Sequence, residues 1–596
     1  NIYTGLTIIE KERSSSFNGY DTITLAVPQQ GEDFLPNFRR GDMIYLYAYK
    51  KNEAPDVRMS ILFKGSLQEI HGDRLVVHLN DGQQNPDLIS GDYFAIEHAG
   101  SDIGGTSAIR SLYTFITSNE ERRQLLLGQR TPRIDKSLTL SHSYHPDYDE
   151  IILKAKQAQD YFLLIGPPGT GKTSQALQFL VREQLAEKPK VQNSKFKVQS
   201  SILLLAYTNR AVDEICNMLT ENELDYIRIG NEFSCDPKYS DHLLKEVLDE
   251  NATLNSIKST IADARIVVAT TSTMNSNAAL FNIKHFDLAI IDEASQILEP
   301  NIIGLLTVRH VEKRAIERFI LIGDHKQLPA VVQQQDTLEA EETNNSLKDI
   351  HLLSCANSLF ERLILTERAA GRTDFIGTLH KQGRMHPDIA DFANRKFYAR
   401  EQLECVPLAH QLEQTLTYYE ASEDETDDVL KAHRMIFIPS KPCRQLNISE
   451  KVNTEEARII TDLLRRLHRQ LGKNFDPQKS VGVIVPYRNQ IAMIRKEIEK
   501  LGIPELEEIS IDTVERYQGS QRDIILYSFT IQSRYQLDFL TANTFYEDGQ
   551  PIDRKLNVAI TRARKQLILT GNEPTLRQNQ LFAELIDYIK EKGGYY

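Results

Sequence analysis

Three groups of residues in this sequence could carry chemistry together. Residues 166–173 read GPPGTGKT and fit G-x-x-x-x-G-K-[ST]. Glycines in such a loop let backbone N–H groups close around phosphate oxygens, and a helix start adds a favourable dipole. Gly166, Pro167, Pro168, Gly169, Thr170, Gly171, Lys172, Thr173 and Ser174 are therefore candidate phosphate contacts. Lys172 can reach the β- and γ-phosphates, and Thr173 can supply a Mg²⁺ ligand. Asp292 and Glu293 form the second group. One carboxylate, Asp292, suits the metal, and the other, Glu293, suits an attacking water. Gln327 is a candidate sensor of the γ-phosphate. The third group is arginine: Arg384 in QGRMHP and Arg562 in LNVAITRAR. A guanidinium keeps its charge and forks onto two phosphate oxygens. The set predicts binding and hydrolysis of a nucleoside triphosphate with Mg²⁺.

The elements that must position these groups are legible. An apolar run over 161–165 reads as a buried strand, and Ala176, Leu177, Leu180, Val181 and Leu185 recur at helical spacing. Apolar runs at 288–291 and 319–322 deliver Asp292-Glu293 and the segment 323–328 to strand ends, where ligands of open α/β sheets bind. Apolar strands and helices alternate to about 335 and again from about 375, the pattern of parallel α/β sheets. The expected fold class is thus α/β, with two such domains and one phosphate loop. Arginines of the second would complete a cleft on the first.

Around this pair the chain divides as follows. Residues 1–95 show strand-like runs at 22–27, 43–48, 61–67 and 74–79, which suggests a small β-barrel. Residues 96–145 are polar with helical spacing at 108–117, and read as a helical stalk or as a basic wall built on Arg122, Arg123, Arg130 and Arg133. The first α/β domain is expected over 146–345, with a helical insertion at about 230–260, and the second over 346–596. Residues 188–197 and 422–428 read as solvated loops, and 339–345 as an acidic linker.

Composition narrows the class. The 596 residues are 41% apolar and 26% charged, ordinary for a soluble protein of about four domains. No uncharged apolar run reaches the roughly 18 residues a membrane span needs, and residues 1–20 show no secretion leader. No membrane partner and a cytoplasmic or nuclear location are expected. The net charge of −13 argues mildly against nucleic acid, although a motor grips a strand through a local groove. Five scattered cysteines, without a C-x-x-C pair, favour neither disulfides nor a metal cluster and read mostly as core residues.

Taken in order, the motifs resemble superfamily 1 helicases of the 5′-to-3′ branch. The segments are 166–173, AYTNRAVDEI at 206–215, VVATTST at 267–273, DLAIIDEAS at 287–295, LIGDHKQLPAVV at 321–332, SLFERL at 358–363, QGRMHP at 382–387, VGVIVPYRNQ at 481–490, TVERYQGSQRD at 513–523 and LNVAITRARKQLILTGN at 556–572. DEAS with QGRMHP resembles the nonsense-mediated-decay RNA helicases and the Okazaki-fragment helicase–nucleases. The resemblance implies two RecA-like domains with ATP between them and single-stranded nucleic acid across their tops. It implies γ-phosphate contacts from Gln327, Arg384 and Arg562, and coupling through Gln518 and Gly519. It places Thr208, Asn209, Thr271, Pro486, Tyr487 and Thr513 near the strand backbone. DYFLLIGPPGTGKT and ERYQGSQRDIILYSF are closer to the DNA-processing family, so DNA is favoured over RNA.

Three departures matter. The family's adenine-reading glutamine falls near Tyr148, Gly383 stands where an aromatic often stacks on the base, and Gln521 replaces a glutamate. They predict tolerance of other nucleoside triphosphates. No iron–sulfur cysteine pattern accompanies the helicase motifs, so any nuclease, further domain or protein partner lies outside this chain. Two rivals remain at this level: an ATP-hydrolysing clamp or protein-displacing remodeller that does not separate strands, and an ATP switch that presents a partner surface.

Overall fold

The computed structural model describes residues 2–13, 19–30, 38, 40–83, 88, 90–99, 103–187, 190–192, 196–198, 200–248, 252–310, 313–332, 345–416, 422–443 and 449–596. The N-terminal strands Tyr3–Arg13, Tyr20–Ala26, Met43–Tyr49, Phe63–Ile70, Arg74–Gln83 and Tyr93–His98 close into an antiparallel barrel. Alternation decides this. In Phe63–Ile70 the alternate residues Phe63, Gly65 and Leu67 are buried, as a barrel wall requires, before the register shifts between Leu67 and Glu69. The interior is filled by Leu6, Ile23, Leu25, Ile44, Leu46, Leu67, Leu75, Val77 and Ile96.

In the first α/β unit, strands Tyr161–Ile165, Ile202–Ala206 and Ile266–Thr270 are buried at every position, as in a sheet covered on both faces. Its order is Ile227–Ile229, Ile266–Thr270, Ile202–Ala206, Phe286–Asp292, Ile316–Gly323, Tyr161–Ile165, Ile376–Thr378, all parallel. The second unit has the parallel order Met435–Pro439, Ala563–Gly571, Arg522–Ser528, Val481–Val485, Ser510–Thr513.

Several expectations need correction. The first unit does not stop at 345: strand Ile376–Thr378 pairs with Tyr161–Ile165, and helix Leu359–Ala369 packs Leu359, Phe360 and Leu363 into the first core. The Tyr161 hydroxyl donates to Glu367 at 2.7 Å and ties that helix to the sheet. Residues 230–260 form the crossover between the adjacent strands Ile227–Ile229 and Ile266–Thr270, built largely of short 3-10 turns before helix Leu254–Asp263. The stalk reduces to helices Ile103–Ile116 and Glu120–Leu126, with no helix from 127 to 148.

Nor is that segment a basic wall. Arg122 is buried, donates to the Leu306 carbonyl at 3.0 Å and lies over the Phe319 ring. Arg130 and Arg133 pair with the buried Asp160 at 2.9 and 2.8 Å. Residues 422–428 are not a free loop: Asp424 caps helix Glu425–Ala432, and buried Asp427 pairs with Arg466 at 2.9 Å. Within 188–197 the described residues pair as a hairpin, Lys190–Gln192 with Phe196–Val198. The linker expected at 339–345 lies outside the described residues except for Asn345. Of the cysteines, Cys216 and Cys235 are buried, Cys405 and Cys443 half-buried and Cys355 exposed.

Candidate active site

Strand Tyr161–Ile165 runs into the glycine loop, where Gly169 and Gly171 take φ of +74° and +72°. Side chains rarely adopt that conformation. Space forbids them too: a Cβ on Gly169 would lie 2.5 Å from Arg384 Cβ, and one on Gly171 would lie 2.7 Å from the Tyr148 hydroxyl. The loop is thus shaped by the second unit from one side and by Tyr148 from the other. The Gly383 amide donates to the Gly169 carbonyl at 2.9 Å. The Tyr148 hydroxyl donates to the Thr170 carbonyl at 3.0 Å, and burial pushes its pKa up to about 12.

The Thr173 hydroxyl donates to Asp292 Oδ2 at 2.6 Å, and Lys172 Nζ lies 3.5 Å from Glu293 Oε1. Glu293 sits at φ +51°, a strained conformation for a non-glycine residue that turns its carboxylate into the cleft. Gln296 donates to its Oε2 at 3.0 Å, and Gln518 reaches the same atom at 3.5 Å. Burial and the charge of Glu293 push the Asp292 carboxyl up. Burial would do the same to Glu293, but Lys172, Gln296 and Arg562 outweigh it and hold that carboxyl down as an anion. A Mg²⁺ ion asks for hard oxygen donors. The Thr173 hydroxyl and Asp292 carboxylate, side by side beneath the glycine loop, provide them, so the donor set fits.

The second unit closes the cleft with arginines. Arg562 donates to Gln327 Oε1 at 2.8 Å, and Gln327 donates to Asp324 at 2.8 Å. Burial and the neighbouring Arg384 push the Arg562 pKa down to about 9, so it stays charged at neutral pH. Arg384 donates to Gln521 Oε1 at 2.9 Å, the residue where the family pattern has a glutamate. The cleft between these walls has a volume of about 600 Å³, and Lys172, Glu293, Gln327, Arg384, Gly519 and Arg562 all line it.

Sequence reasoning missed the residues that bolt the two units together. The Tyr398 hydroxyl donates to Asp324 at 2.7 Å and accepts from Asn557 at 2.8 Å. Asn557 also donates to the Lys326 carbonyl, and Arg554 to the His325 carbonyl. His325, Glu401 and Glu547 bring three ligand-type groups together, but Lys326 Nζ already sits 2.8 Å from Glu401 and 2.5 Å from Glu547 as their cation. Glu547 belongs to hairpin Thr544–Glu547 with Gln550–Asp553, whose turn Asp548-Gly549 has positive φ at both residues. That Asp-Gly pair is a hairpin signal readable in the sequence. Glu214 also lines the cleft, and no motif argument singled it out.

Two families, each described as an AAA domain, match the chain: one over residues 146–256 and 245–335, the other over 355–574. The DNA replication ATP-dependent helicase/nuclease of Arabidopsis thaliana is 29% identical over 497 residues, covering 80% of this chain and 33% of the relative. The enzyme of the same description from Xenopus laevis is 30% identical over 515 residues, covering 80% and 43%. Both α/β units thus match AAA domains, and the chain is similar over most of its length to proteins described as ATP-dependent helicase/nucleases. It spans from a third to under a half of these relatives' length. The arterivirus nonstructural protein 10 helicase overlaps 94% of this chain and 78% of its own at 13% identity, with a TM-score of 0.35, too slight a likeness to bear on function.

The residues expected near a strand stand at carboxyl ends of sheet strands. Thr208 follows Ile202–Ala206 and caps the helix that begins at Asn209. Thr271 follows Ile266–Thr270, Pro486 and Tyr487 follow Val481–Val485, and Thr513 ends Ser510–Thr513. Thr271 and Tyr487 are nevertheless buried, so in this state their side chains do not face solvent. The barrel reaches the same region: Asp42 lies 3.9 Å from Arg488 and 3.6 Å from Arg516. Among the described residues, no helix is long and apolar enough to cross a membrane.

Proposed function

We propose that the chain is a Mg²⁺- and ATP-dependent motor that translocates 5′ to 3′ on single-stranded nucleic acid, DNA favoured over RNA, and separates duplexes. One observation carries this reading. Lys172, Asp292 and Glu293 of the first unit and Arg384 and Arg562 of the second line or adjoin a single cleft. Thr173 and Asp292 would hold Mg²⁺, which when bound would supply positive charge to the phosphates.

The chain's own residues supply the rest. The glycine loop and Lys172 orient the triphosphate. Glu293, held as an anion, orients the attacking water and accepts its proton. Arg384 and Arg562 stabilise charge on the γ-phosphate, and Gln327 links that phosphate to the loop 323–328. Because this loop is bonded to Tyr398, Asn557 and Arg554, a change at the phosphate is transmitted to the second unit. Domain closure and opening would move a strand laid over the Thr208, Asn209, Thr271, Pro486, Tyr487 and Thr513 segments, with Gln518 and Gly519 as the link.

The preference for DNA is supported by relatives described as DNA replication enzymes. Relaxed base choice is supported by Tyr148, whose hydroxyl is committed to the Thr170 carbonyl, and by the side-chain-free Gly383 on the cleft wall. GTP turnover about a hundredfold or more below ATP turnover overturns that part.

The test is steady-state ATP hydrolysis with Mg²⁺ without polymer, with oligo-dT and with oligo-U of equal length, beside a Lys172→Ala control. Stimulation by oligo-dT above oligo-U is expected, followed by strand separation on a duplex with a 5′ tail. Absence of stimulation by either polymer overturns the motor.

A further inference from the structure

The two edges of the second sheet have different company. The described residues that this sheet's strands bring to the nucleotide cleft enter at the amino edge: Gly519 and Gln521 precede strand Arg522–Ser528, and Arg562 precedes Ala563–Gly571. The carboxyl edge gives the cleft nothing, yet it carries an unusual surface. Helix Arg534–Leu540 follows the carboxyl end of Arg522–Ser528 and buries Gln536, Leu537 and Leu540. On its other side Tyr535 is 81% exposed and Phe539 47% exposed. They are one helical turn apart and share a face. The Phe539 ring stacks on Tyr487, with centroids 5.7 Å apart and planes 18° from parallel. Lys555 Nζ lies 4.5 Å from the Phe539 centroid, and Lys451 Nζ lies 6.0 Å from that of Tyr487.

Resting on the motor reading, we propose that Tyr535 and Phe539, backed by Tyr487 and flanked by Lys451 and Lys555, form a platform on which unpaired bases of the strand stack. Scattered exposed apolar side chains are ordinary on any surface. Two large rings one turn apart, continued inward by a third and edged by ammonium groups, fit a more specific occupant. Aromatic faces accept the π-faces of bases of any sequence, and exposed Lys451 meets the phosphates that join them, while buried Lys555, paired with Glu515 at 3.4 Å, backs the Phe539 ring. A duplex does not fit, because its bases already stack on one another. The platform adjoins Pro486 and Tyr487, so a strand tracking the carboxyl ends of this sheet passes over it. It would also give the grip a component that senses bases, where the other candidate contacts address only backbone.

The experiment compares binding of a labelled oligo-dT with an abasic strand of the same length and backbone, by fluorescence anisotropy on the full chain. The readout is the ratio of the two dissociation constants within each protein, so a partly inactive preparation cancels. Wild type is expected to prefer the base-bearing strand, and Tyr535→Ala/Phe539→Ala to lose about tenfold of that preference, the scale of one to two stacked bases. Phe539→Tyr, which keeps a ring, should retain it. The chain contains no tryptophan, so Phe539→Trp installs a single reporter at the site. Its emission should quench with oligo-dT and not with the abasic strand. An unchanged ratio in the double variant, or no quenching, overturns the platform and leaves the patch to a protein partner. Failure of wild type to bind either strand overturns the motor reading itself and the platform with it.

Discussion

The two α/β units are built on the same parallel plan but present opposite edges to the nucleotide. The first offers the carboxyl ends of its strands: the glycine loop after Tyr161–Ile165, Asp292 and Glu293 after their strand, Gln327 after Ile316–Gly323. The second offers residues that precede strands, Gln518, Gly519 and Arg562. The difference separates labour. A parallel sheet's carboxyl edge is its usual ligand edge. The second unit meets the cleft with its amino edge, and its carboxyl edge, with Tyr487, Thr513 and Phe539, is where the strand is proposed to lie. The first unit, in contrast, carries the nucleotide groups and the strand candidates Thr208 and Thr271 on the same edge.

Breaking the amino-edge contribution should have the largest effect. Arg562→Lys keeps a charge but loses the fork, and ATP turnover is expected to fall by about 10³-fold or more, the range of arginine fingers. Steady-state kinetics with saturating oligo-dT measures it. On the first unit's edge, Glu293→Gln should lower single-turnover hydrolysis by about 10²- to 10⁴-fold, the usual worth of a positioned base. Nucleotide binding should persist, because Lys172 and the glycine loop are untouched. If both variants lose only KM, the two edges are binding surfaces and the division into finger and base fails.

A third change sharpens the comparison through stability. Asp553 caps helix Arg554–Ile560, which leads to Arg562, and burial pushes its carboxyl up from 3.8 to about 6. A raised acid contributes stability below its unfolded pKa and loses it as pH climbs through the folded value. Asp553→Asn can still cap and should therefore gain on wild type between pH 4 and 6. The gain should level off near about 3 kcal/mol above pH 6, as melting curves across that range will show. The smallest effect is expected from Tyr398→Phe. It removes the hydroxyl that joins Asp324 to Asn557. Turnover should fall by roughly five- to tenfold, from about 1 kcal/mol of lost hydrogen bonding, with KM for ATP little changed.

What was legible in the sequence was what is local. The glycine loop, its strand and the paired carboxylates announce themselves because one short stretch carries both the apolar run and the chemistry. Strand Ile376–Thr378 escaped because three residues make no pattern, and its membership of the first sheet is set by pairing with residues more than two hundred positions away. The basic-wall reading of Arg122, Arg130 and Arg133 failed for the same reason: Asp160 and the Leu306 carbonyl, which take up their charge, are distant in sequence. Tyr398, Asn557 and Glu547 serve the interface through contacts that no spacing rule encodes. Phe539 sits in no motif, and only its stacking on Tyr487 sets it apart.

The contact of Asp42 with Arg488 and Arg516 has a mechanical meaning. The barrel is anchored to the first unit, where Ser111 of the helix behind it accepts from the Gly304 amide at 2.9 Å. Toward the second unit it offers the Asp42 carboxylate, across 3.6 to 3.9 Å, to two arginines that are 40% and 46% exposed. Ion pairs of that kind are worth about 0–1 kcal/mol, comparable to the thermal energy. The barrel is therefore a detent and not a latch. On the proposed motor reading it can give the two units a preferred resting alignment and yet yield when they move.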